Sequence, residues 1–140
     1  MYNLAYCTQT STMVTAISAG VKISVDCQFE SKFSNPENNL YMFSYHIKIE
    51  NRNAFTVRLE RRKWHITDSA APARTVEGEG VVGKQPLIPP GGTYTYRSSC
   101  DFSADTGCMN GVYLMRNVST NALFEVEVPS FMLMVPHKLN

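Results

Sequence analysis

A glycine-rich stretch at residues 77–86, EGEGVVGKQP, has the spacing in this sequence that comes nearest to a known site for chemistry. Gly78, Gly80 and Gly83 follow G-x-G-x-x-G, a pattern that binds a pyrophosphate at the N-terminus of a helix. Lys84 extends the match towards the phosphate-binding G-x-x-x-x-G-K-[ST], but Gln85 stands where a hydroxyl would hold magnesium. The stretch therefore raises the question of nucleotide binding.

Prolines directly after this stretch argue against a nucleotide. Pro86, Pro89 and Pro90 lie within seven residues of Gly83, and proline lacks the N–H and has a ring that clashes inside a helix. We therefore predict that the glycines permit positive φ or close backbone approach. The alternative is a nest of backbone amides that holds a small anion or a partner's carboxylate. The candidate binding residues are Gly78, Glu79, Gly80, Gly83, Lys84 and Gln85.

Residues suited to metal binding or catalysis form no preformed pattern. His46, His65 and His137 are far apart, and the sequence has no H-x-x-x-H or C-x-x-C spacing. No nucleophile elbow G-x-S-x-G occurs. Weak magnesium binding needs only one or two carboxylates, for which the candidates are Asp68, Glu77 and Glu79. We expect no cofactor and no enzymatic activity.

Charge gives little support for a nucleic-acid partner. The 140 residues include 13 basic and 12 acidic side chains, with a formal net charge of +1, so the basic excess typical of nucleic-acid binders is missing. Arg58, Arg61, Arg62 and Lys63 form a basic run that Glu60 interrupts. We interpret this run as a solvated strand edge that is protected by charge, rather than as a nucleic-acid site.

The cellular compartment of the protein is predicted from its N-terminal residues, its apolar runs and its cysteines. The first ten residues, MYNLAYCTQT, lack the pattern of a signal peptide, and no run approaches the ~18 apolar residues of a membrane span. A soluble, cytoplasmic protein with reduced thiols is expected. Because Cys100 and Cys108 bracket a short loop, a disulfide between them stays an alternative.

The elements that must position these residues are strands. Apolar and polar residues alternate over Gly20 to Glu30 and over Tyr41 to Glu50 with the period of a half-buried strand. In FTVRLERRKWHITD the apolar parity shifts between Leu59 and Trp64, which predicts a β-bulge near Glu60 to Lys63 and a core position for Trp64. A second shift lies at Pro129 and Ser130.

Such strand-length alternations recur between Pro, Gly and Asn turns, and no helical period is sustained. We predict an all-β, antiparallel sandwich of about seven to eight strands. Residues 1–12 are expected to form a flexible lead-in, and 13–140 a single domain.

Surplus apolar residues indicate a surface for a partner. FMLMV at 131–135 is apolar on both faces, and methionine suits adaptable binding surfaces. The candidate interaction residues are Met132, Met134 and Met42. The alternative is that another segment, such as residues 1–16, buries them.

Several segments together resemble the ApaG family. They are Arg62–Asp68 (RKWHITD), Val76–Pro86 (VEGEGVVGKQP), Gly107–Met115 (GCMNGVYLM) and Phe131–Pro136 (FMLMVP). The likeness extends from about Ile17 to Asn140. It implies an immunoglobulin-like or fibronectin type III-like sandwich, and it implies no established catalysis.

The resemblance also implies a setting for the function. Bacterial members are linked to cobalt resistance and magnesium efflux, and related eukaryotic domains look like interaction modules. Lys84 stands where relatives often carry an acidic residue, which argues against a cation site in the loop. The leading hypothesis is a non-enzymatic module that binds another protein or a second copy of the chain. The alternative is a small-ligand module for pyrophosphate, nucleotide or divalent cation at Gly78–Pro86.

Overall fold

The computed structural model describes residues 13–136, so the predicted lead-in at 1–12 and His137 lie outside the described residues. Two short 3-10 helices, Ser31–Phe33 and Pro36–Asn38, join the second and third strands. The described residues contain no helix that is long and apolar enough to cross a membrane. The strands are β1 (Val14–Ser18), β2 (Val21–Phe29), β3 (Tyr41–Asn51), β4 (Val57–Asp68), β5 (Ala71–Glu79), β6 (Leu87–Ile88), β7 (Thr93–Phe102), β8 (Thr106–Asn117) and β9 (Leu123–Met134).

The strands form two antiparallel sheets that pack face to face. Sheet I has the order β1-β2-β3-β7, and sheet II has the order β9-β8-β4-β5, with the two-residue β6 paired to the start of β4. The predicted immunoglobulin-like or fibronectin type III-like sandwich is confirmed. The described part of the chain has nine strands, slightly more than predicted, because the proline-rich segment after the glycine loop still contributes the short strand β6.

The core follows from the alternation along the strands. Residues of one parity in β2, β3 and β8 face inward, and most of them are buried, while most of their neighbours are half-buried or exposed. Trp64 is 4% exposed, and its ring meets Tyr45, Tyr113 and Phe131 at centroid distances of 5.6, 6.3 and 6.0 Å. Each such aromatic pair contributes about 1 kcal/mol beyond burial, so the predicted core position of Trp64 is confirmed.

Both predicted parity shifts are irregularities of strand pairing. The pairing of β4 with β8 shifts between Leu59 and Arg61, and the pairing of β9 with β8 shifts between Val128 and Phe131. Because an extra residue reverses which parity faces inward, Arg62 lies on the same inner face of β4 as Trp64. This placement of a cation defines the site described below.

The two edges where the sheets meet differ. On one side, which we call the closed seam, β9 packs against β1 and β2; Glu127 N donates to Ser18 Oγ at 2.9 Å. On the other side, which we call the open seam, β5 of sheet II lies opposite β7 of sheet I. At one end of this seam, Ser103 N, directly after β7, donates to Oδ2 of Asp68, the last residue of β4, at 2.9 Å.

Candidate functional site: the open seam and its glycine loop

The glycine loop is a tight turn. Val81 N donates to Lys84 O at 2.8 Å and Lys84 N donates to Val81 O at 3.0 Å. Between them Val82 and Gly83 have φ of +48° and +75°, as in the type I′ turns that join hairpin strands. The chain then enters the short strand Leu87–Ile88 rather than a helix, as the prolines predict.

Two further glycines allow close approach of other groups. A Cβ on Gly80, which has φ of +60°, would lie 2.0 Å from Lys84 O. A Cβ on Gly78 would lie 2.8 Å from Nη1 of Arg62. The prediction that these glycines serve positive φ and close approach is confirmed.

The loop and the bulge in β4 complete each other's hydrogen bonds. A bulge leaves a carbonyl without its ladder partner, and an unpaired backbone group is costly to bury. Here the carbonyl oxygen of Glu60 accepts from Gly80 N at 2.8 Å and from Gln85 Nε2 at 3.0 Å. Leu59 N in turn donates to Pro86 O at 3.1 Å. Gln85 thus has a structural role.

The loop turns carbonyl groups, rather than amides, towards the cleft. Arg62 Nη1 donates to Glu79 O and to Gly80 O, both at 3.1 Å. The amides of Gly80, Val81 and Lys84 are already bonded to backbone carbonyls. The carbonyls of Glu79 and Gly80 therefore suit the guanidinium of Arg62. The successive amides that an anion nest would need are those of Val82 and Gly83, which lie in the exposed turn.

Beside the loop, the open seam exposes a cleft of about 250 Å³ between the sheets. Trp64 is 4% exposed, but Val76, its cross-strand neighbour on β5, is 39% exposed. Residues 71–77 of β5 are all exposed, so this strand lies at the edge without covering the core. The cleft is lined on its floor by Tyr45, Trp64 and Met109, on one wall by Arg62 and Val76, and on the other by Ser98, Cys100 and Asp101.

The tyrosine hydroxyls and the cysteine thiol in and below the cleft are held in their neutral forms. The hydroxyls of Tyr96 and Tyr113 are hydrogen-bonded to each other in the core. Burial raises the pKa of both phenols and of Tyr45, and the nearby charge of Arg62 opposes this only in part. Burial also raises the pKa of the Cys100 thiol, against the lowering effect of Arg74. Arg62 is therefore the permanent charge that faces the cleft floor.

The mouth of the cleft is bridged by one ion pair. Arg74 of β5 contacts Asp101 of β7, with Nη2 at 3.6 Å from Oδ1. The same nitrogen donates to the Asp101 carbonyl and approaches Cys100 Sγ at 3.4 Å. The guanidinium of Arg74 is thus already paired, and its charge and that of the Asp101 carboxylate neutralise each other at the mouth of the cleft.

Comparison with known proteins places the chain in a family. A family model described as ApaG domain matches residues 31–117. The chain belongs to the ApaG domain family. It is 39% identical over 126 residues to Protein ApaG of Brucella abortus (strain S19), covering 90% of this chain and 96% of that protein. Protein ApaG of Brucella suis biovar 1 (strain 1330) is 38% identical over the same coverage.

Solved structures agree with this assignment. A crystal structure of an ApaA protein from Bordetella pertussis superposes with a TM-score of 0.79 at 34% identity, covering 83% of this chain and 94% of that one. The C-terminal domain of wzt has a TM-score of 0.53 at 9% identity, covering 88% and 77% of the two chains, and shares only the fold. The resemblance to ApaG is confirmed, and these names specify neither a reaction nor a ligand.

In this ApaG-family chain the predicted acidic residues do not converge. Asp68 accepts hydrogen bonds from Ala70 N and Ser103 N at one end of the β4–β5 hairpin. Glu77 and Glu79 lie towards its other end, opposite Lys63 and Arg61. No group of three or more His, Cys, Asp or Glu side chains in residues 13–136 is placed to hold a metal ion.

The candidate histidines and cysteines are also separated. His65 and His46 are exposed on different sheets. Cys100 is buried in β7 of sheet I, whereas Cys108 is half-buried in β8 of sheet II, and both thiols are free. The alternative of a disulfide between them is therefore wrong in this structure.

The three methionines lie on opposite faces of the sandwich. Met132 and Met134 are 57% and 42% exposed on the outer face of sheet II, so no described segment buries them. Met42 belongs to sheet I, where it lines a separate depression of about 510 Å³ with Phe33 and Arg97. They cannot form one continuous surface.

Arg62 is the site residue that the sequence analysis missed, because it was grouped with the basic run. The interpretation of that run as a strand edge is wrong, since β4 pairs with β5 on one side and with β8 on the other. The signal was available: if the bulge moves Trp64 and Ile66 to the inner face, the residue two before Trp64 must face inward as well. Arg74 and the wall formed by Ser98 and Cys100 had no such signal, since their proximity depends on which strands lie at the edges.

Proposed function

We propose that this ApaG-family chain is a non-catalytic, protein-binding module whose open seam receives an extended segment of a partner protein. The observation that carries the proposal is β5, a nine-residue edge strand with residues 71–77 exposed, beside a cleft that reaches the core. An exposed edge offers unpaired N–H and C=O groups to another strand.

The cleft supports this mode of binding because it can accommodate side chains of the partner segment. Successive side chains of an added strand point to opposite sides, so every second one would enter the cleft. There it would meet Val76 and, behind it, Trp64. Backbone hydrogen bonds would supply affinity and the cleft would supply selectivity.

The chemistry of the cleft supports binding rather than catalysis. The raised pKa values of Tyr45, Tyr96 and Cys100 keep these groups protonated near neutral pH, where a general base or nucleophile would have to ionise. In this proposal, the link to magnesium and cobalt handling that the family resemblance suggests is made through the partner protein.

A peptide-display selection on the purified chain tests the proposal. Selected linear peptides should perturb the backbone amides of β5 and β7 in ¹H-¹⁵N NMR spectra. Thr75→Pro and Val76→Pro form a matched pair, since adjacent residues of an edge strand direct their N–H groups to opposite sides. One variant should lose a bond to β4 and stability; the other should stay folded and lose peptide binding.

Three outcomes would contradict the proposal. The selection could enrich no peptide, or the peptides could bind both folded proline variants as tightly as the parent chain. They could instead map to Met132 and Met134, with binding lost in Met132→Glu. Light scattering adds a control: a concentration-dependent dimer that the edge-blocking proline abolishes would assign the edge to a second copy, against a separate partner.

A further inference from the structure

We infer that the cleft of the open seam is a binding site for a single carboxylate and that Arg62 is the residue that recognises it. The inference rests on the proposed function for the source of this group, an Asp, Glu or C-terminal residue of the partner segment. The site itself is argued from the charge, hydrogen bonds and packing of Arg62.

Arg62 differs from the other partly buried cations of the protein. Four lysine or arginine residues among those described are half-buried. Lys22 contacts Glu50 at 3.9 Å, and Arg58 and Arg116 contact Glu60 at 3.7 and 3.1 Å. Arg62 forms no ion pair with a carboxylate of residues 13–136. Removing a charge from water is unfavourable unless it is paired. Binding of an anion would therefore stabilise the half-buried guanidinium of Arg62.

The guanidinium is also held in position. Its Nη1 is fixed by two hydrogen bonds to Glu79 O and Gly80 O, and it packs against the bare Cα of Gly78. A guanidinium has five N–H donors in a planar fork, so the donors on Nε and Nη2 are left for a ligand. A fork fixed in advance matches the two oxygens of a carboxylate and loses little freedom on binding.

The surroundings favour a carboxylate on an apolar stem over a phosphate. Trp64 and Val76 offer apolar surface beside the guanidinium, and Ser98 offers a hydroxyl on the opposite wall. Arg74 is the other cation of the cleft and is already bonded to Asp101. A doubly charged phosphate would therefore meet one available guanidinium for its two charges, whereas a singly charged group of modest size matches that guanidinium and fits the volume of about 250 Å³.

A small-molecule titration tests the site without any peptide. The probes are 3-phenylpropionate and its neutral counterpart 3-phenylpropanamide, which share the same apolar stem. In NMR titrations the carboxylate should shift the Trp64 indole, Gly78, Ser98 and Arg62 Nε signals. The amide should bind at least about tenfold more weakly, because it forfeits the charge-assisted pair.

Matched variants assign the effect to Arg62. Arg62→Met should remove the preference for the carboxylate, and Arg62→Lys should weaken it several-fold, because lysine keeps the charge without the planar fork. Arg61→Met is the control, since Arg61 is the exposed neighbour on the same strand. If Arg62→Met disturbs the loop, the comparison between Arg62→Lys and Arg61→Met carries the test.

Equal binding of both probes, or a carboxylate preference that survives Arg62→Lys and Arg62→Met, would overturn the inference. So would probe-induced shifts confined to residues outside the cleft. These outcomes are separable from failure of the proposed function. If display peptides add to β5 equally well with Asp or with Asn in the cleft, only the carboxylate site is refuted. If the carboxylate probe binds through Arg62 but no peptide binds, only strand addition is refuted.

Discussion

Each seam of the sandwich is bordered by an edge strand of sheet II, but β9 covers the core at the closed seam and β5 leaves it accessible at the open seam. At the closed seam, β9 directs Val126, Val128, Phe131 and Leu133 into the core, and all four are buried. At the open seam, β5 directs only Arg74, Val76 and Gly78 to the inner side, opposite Ile66, Trp64 and Arg62. An edge strand covers the core only when its inner-facing residues are large and apolar, so β5 leaves a cleft where β9 leaves none.

The glycine loop belongs to the open seam and explains why that seam keeps its shape. The loop satisfies the bulge carbonyl of Glu60 and holds Arg62 through two carbonyl oxygens. At the closed seam the corresponding work is done by apolar packing, supplemented by bonds such as Cys27 Sγ to Met132 O at 3.3 Å. One edge is thus stabilised by burial and the other by a polar network, which predicts different sensitivity to mutation.

The largest expected effect would break the polar network. Gly80→Ala introduces a Cβ at a φ of +60° and 2.0 Å from Lys84 O, so it should reduce the free energy of unfolding by about 3 kcal/mol. Gly83→Ala is the control: its φ of +75° is similar, but nothing lies within 4 Å of the new Cβ. It should cost about 1 kcal/mol. Urea unfolding checks both, and equal losses would contradict the role given to the loop.

A matched pair of valines compares the seams directly. Val128→Ala at the closed seam deletes methyl groups that are 4% exposed, and Val76→Ala at the open seam deletes ones that are 39% exposed. We expect losses of about 2 kcal/mol and less than about 1 kcal/mol respectively. Chemical denaturation measures both. A loss at Val76 as large as that at Val128 would mean that the open seam contributes to the core after all.

Alkaline pH should sharpen the comparison through ionisable groups on the two sides. Burial raises the pKa of Cys27 at the closed seam from 9.0 to about 11, with Asp26 adding to the effect. Because the folded-state pKa is the higher one, the contribution to stability is present below pH 9 and is lost as the pH rises through 11. Cys27→Ala should make the loss between pH 9 and 11 smaller.

The tyrosines below the open seam add a later phase of the same sign. Burial raises the pKa of Tyr96 and Tyr113 above the usual 10.0, so their contribution begins to be lost only above pH 10. In urea unfolding, Tyr96→Phe should make the loss of stability above that pH smaller. It should leave the loss that Cys27 causes, which begins at pH 9, unchanged. A profile that is flat from pH 8 to 11 in the parent chain would contradict both assignments.

The smallest expected effect concerns the bridge across the open seam. Arg74→Met removes the ion pair with Asp101, whose nearest charged atoms are 3.6 Å apart. Exposed ion pairs contribute little, so we expect less than about 1 kcal/mol in global stability. Amide hydrogen exchange should nevertheless become faster in β5 and stay unchanged in β9. Faster exchange in both strands would show that the seams are coupled.

The sequence by itself determined the sandwich, the bulge before Trp64 and the absence of a helix after Gly83. These features depend on neighbouring residues: a period of two specifies which side of a strand is buried, a parity shift requires an extra residue, and prolines forbid a helical turn. Even the inward direction of Arg62 followed from the shift, although only the pairing of β4 with β5 supplied its carbonyl partners.

Only the tertiary structure decided which strands lie at the edges, and with them the open seam. The placement of Met42 and Met132 on opposite faces and the cleft between Val76 and Ser98 depend on strand order. That order is set by contacts between segments far apart in the chain, such as Val57–Asp68 with Thr106–Asn117. Alternation along a strand specifies which of its faces is buried, but it does not specify which strands pair with each other.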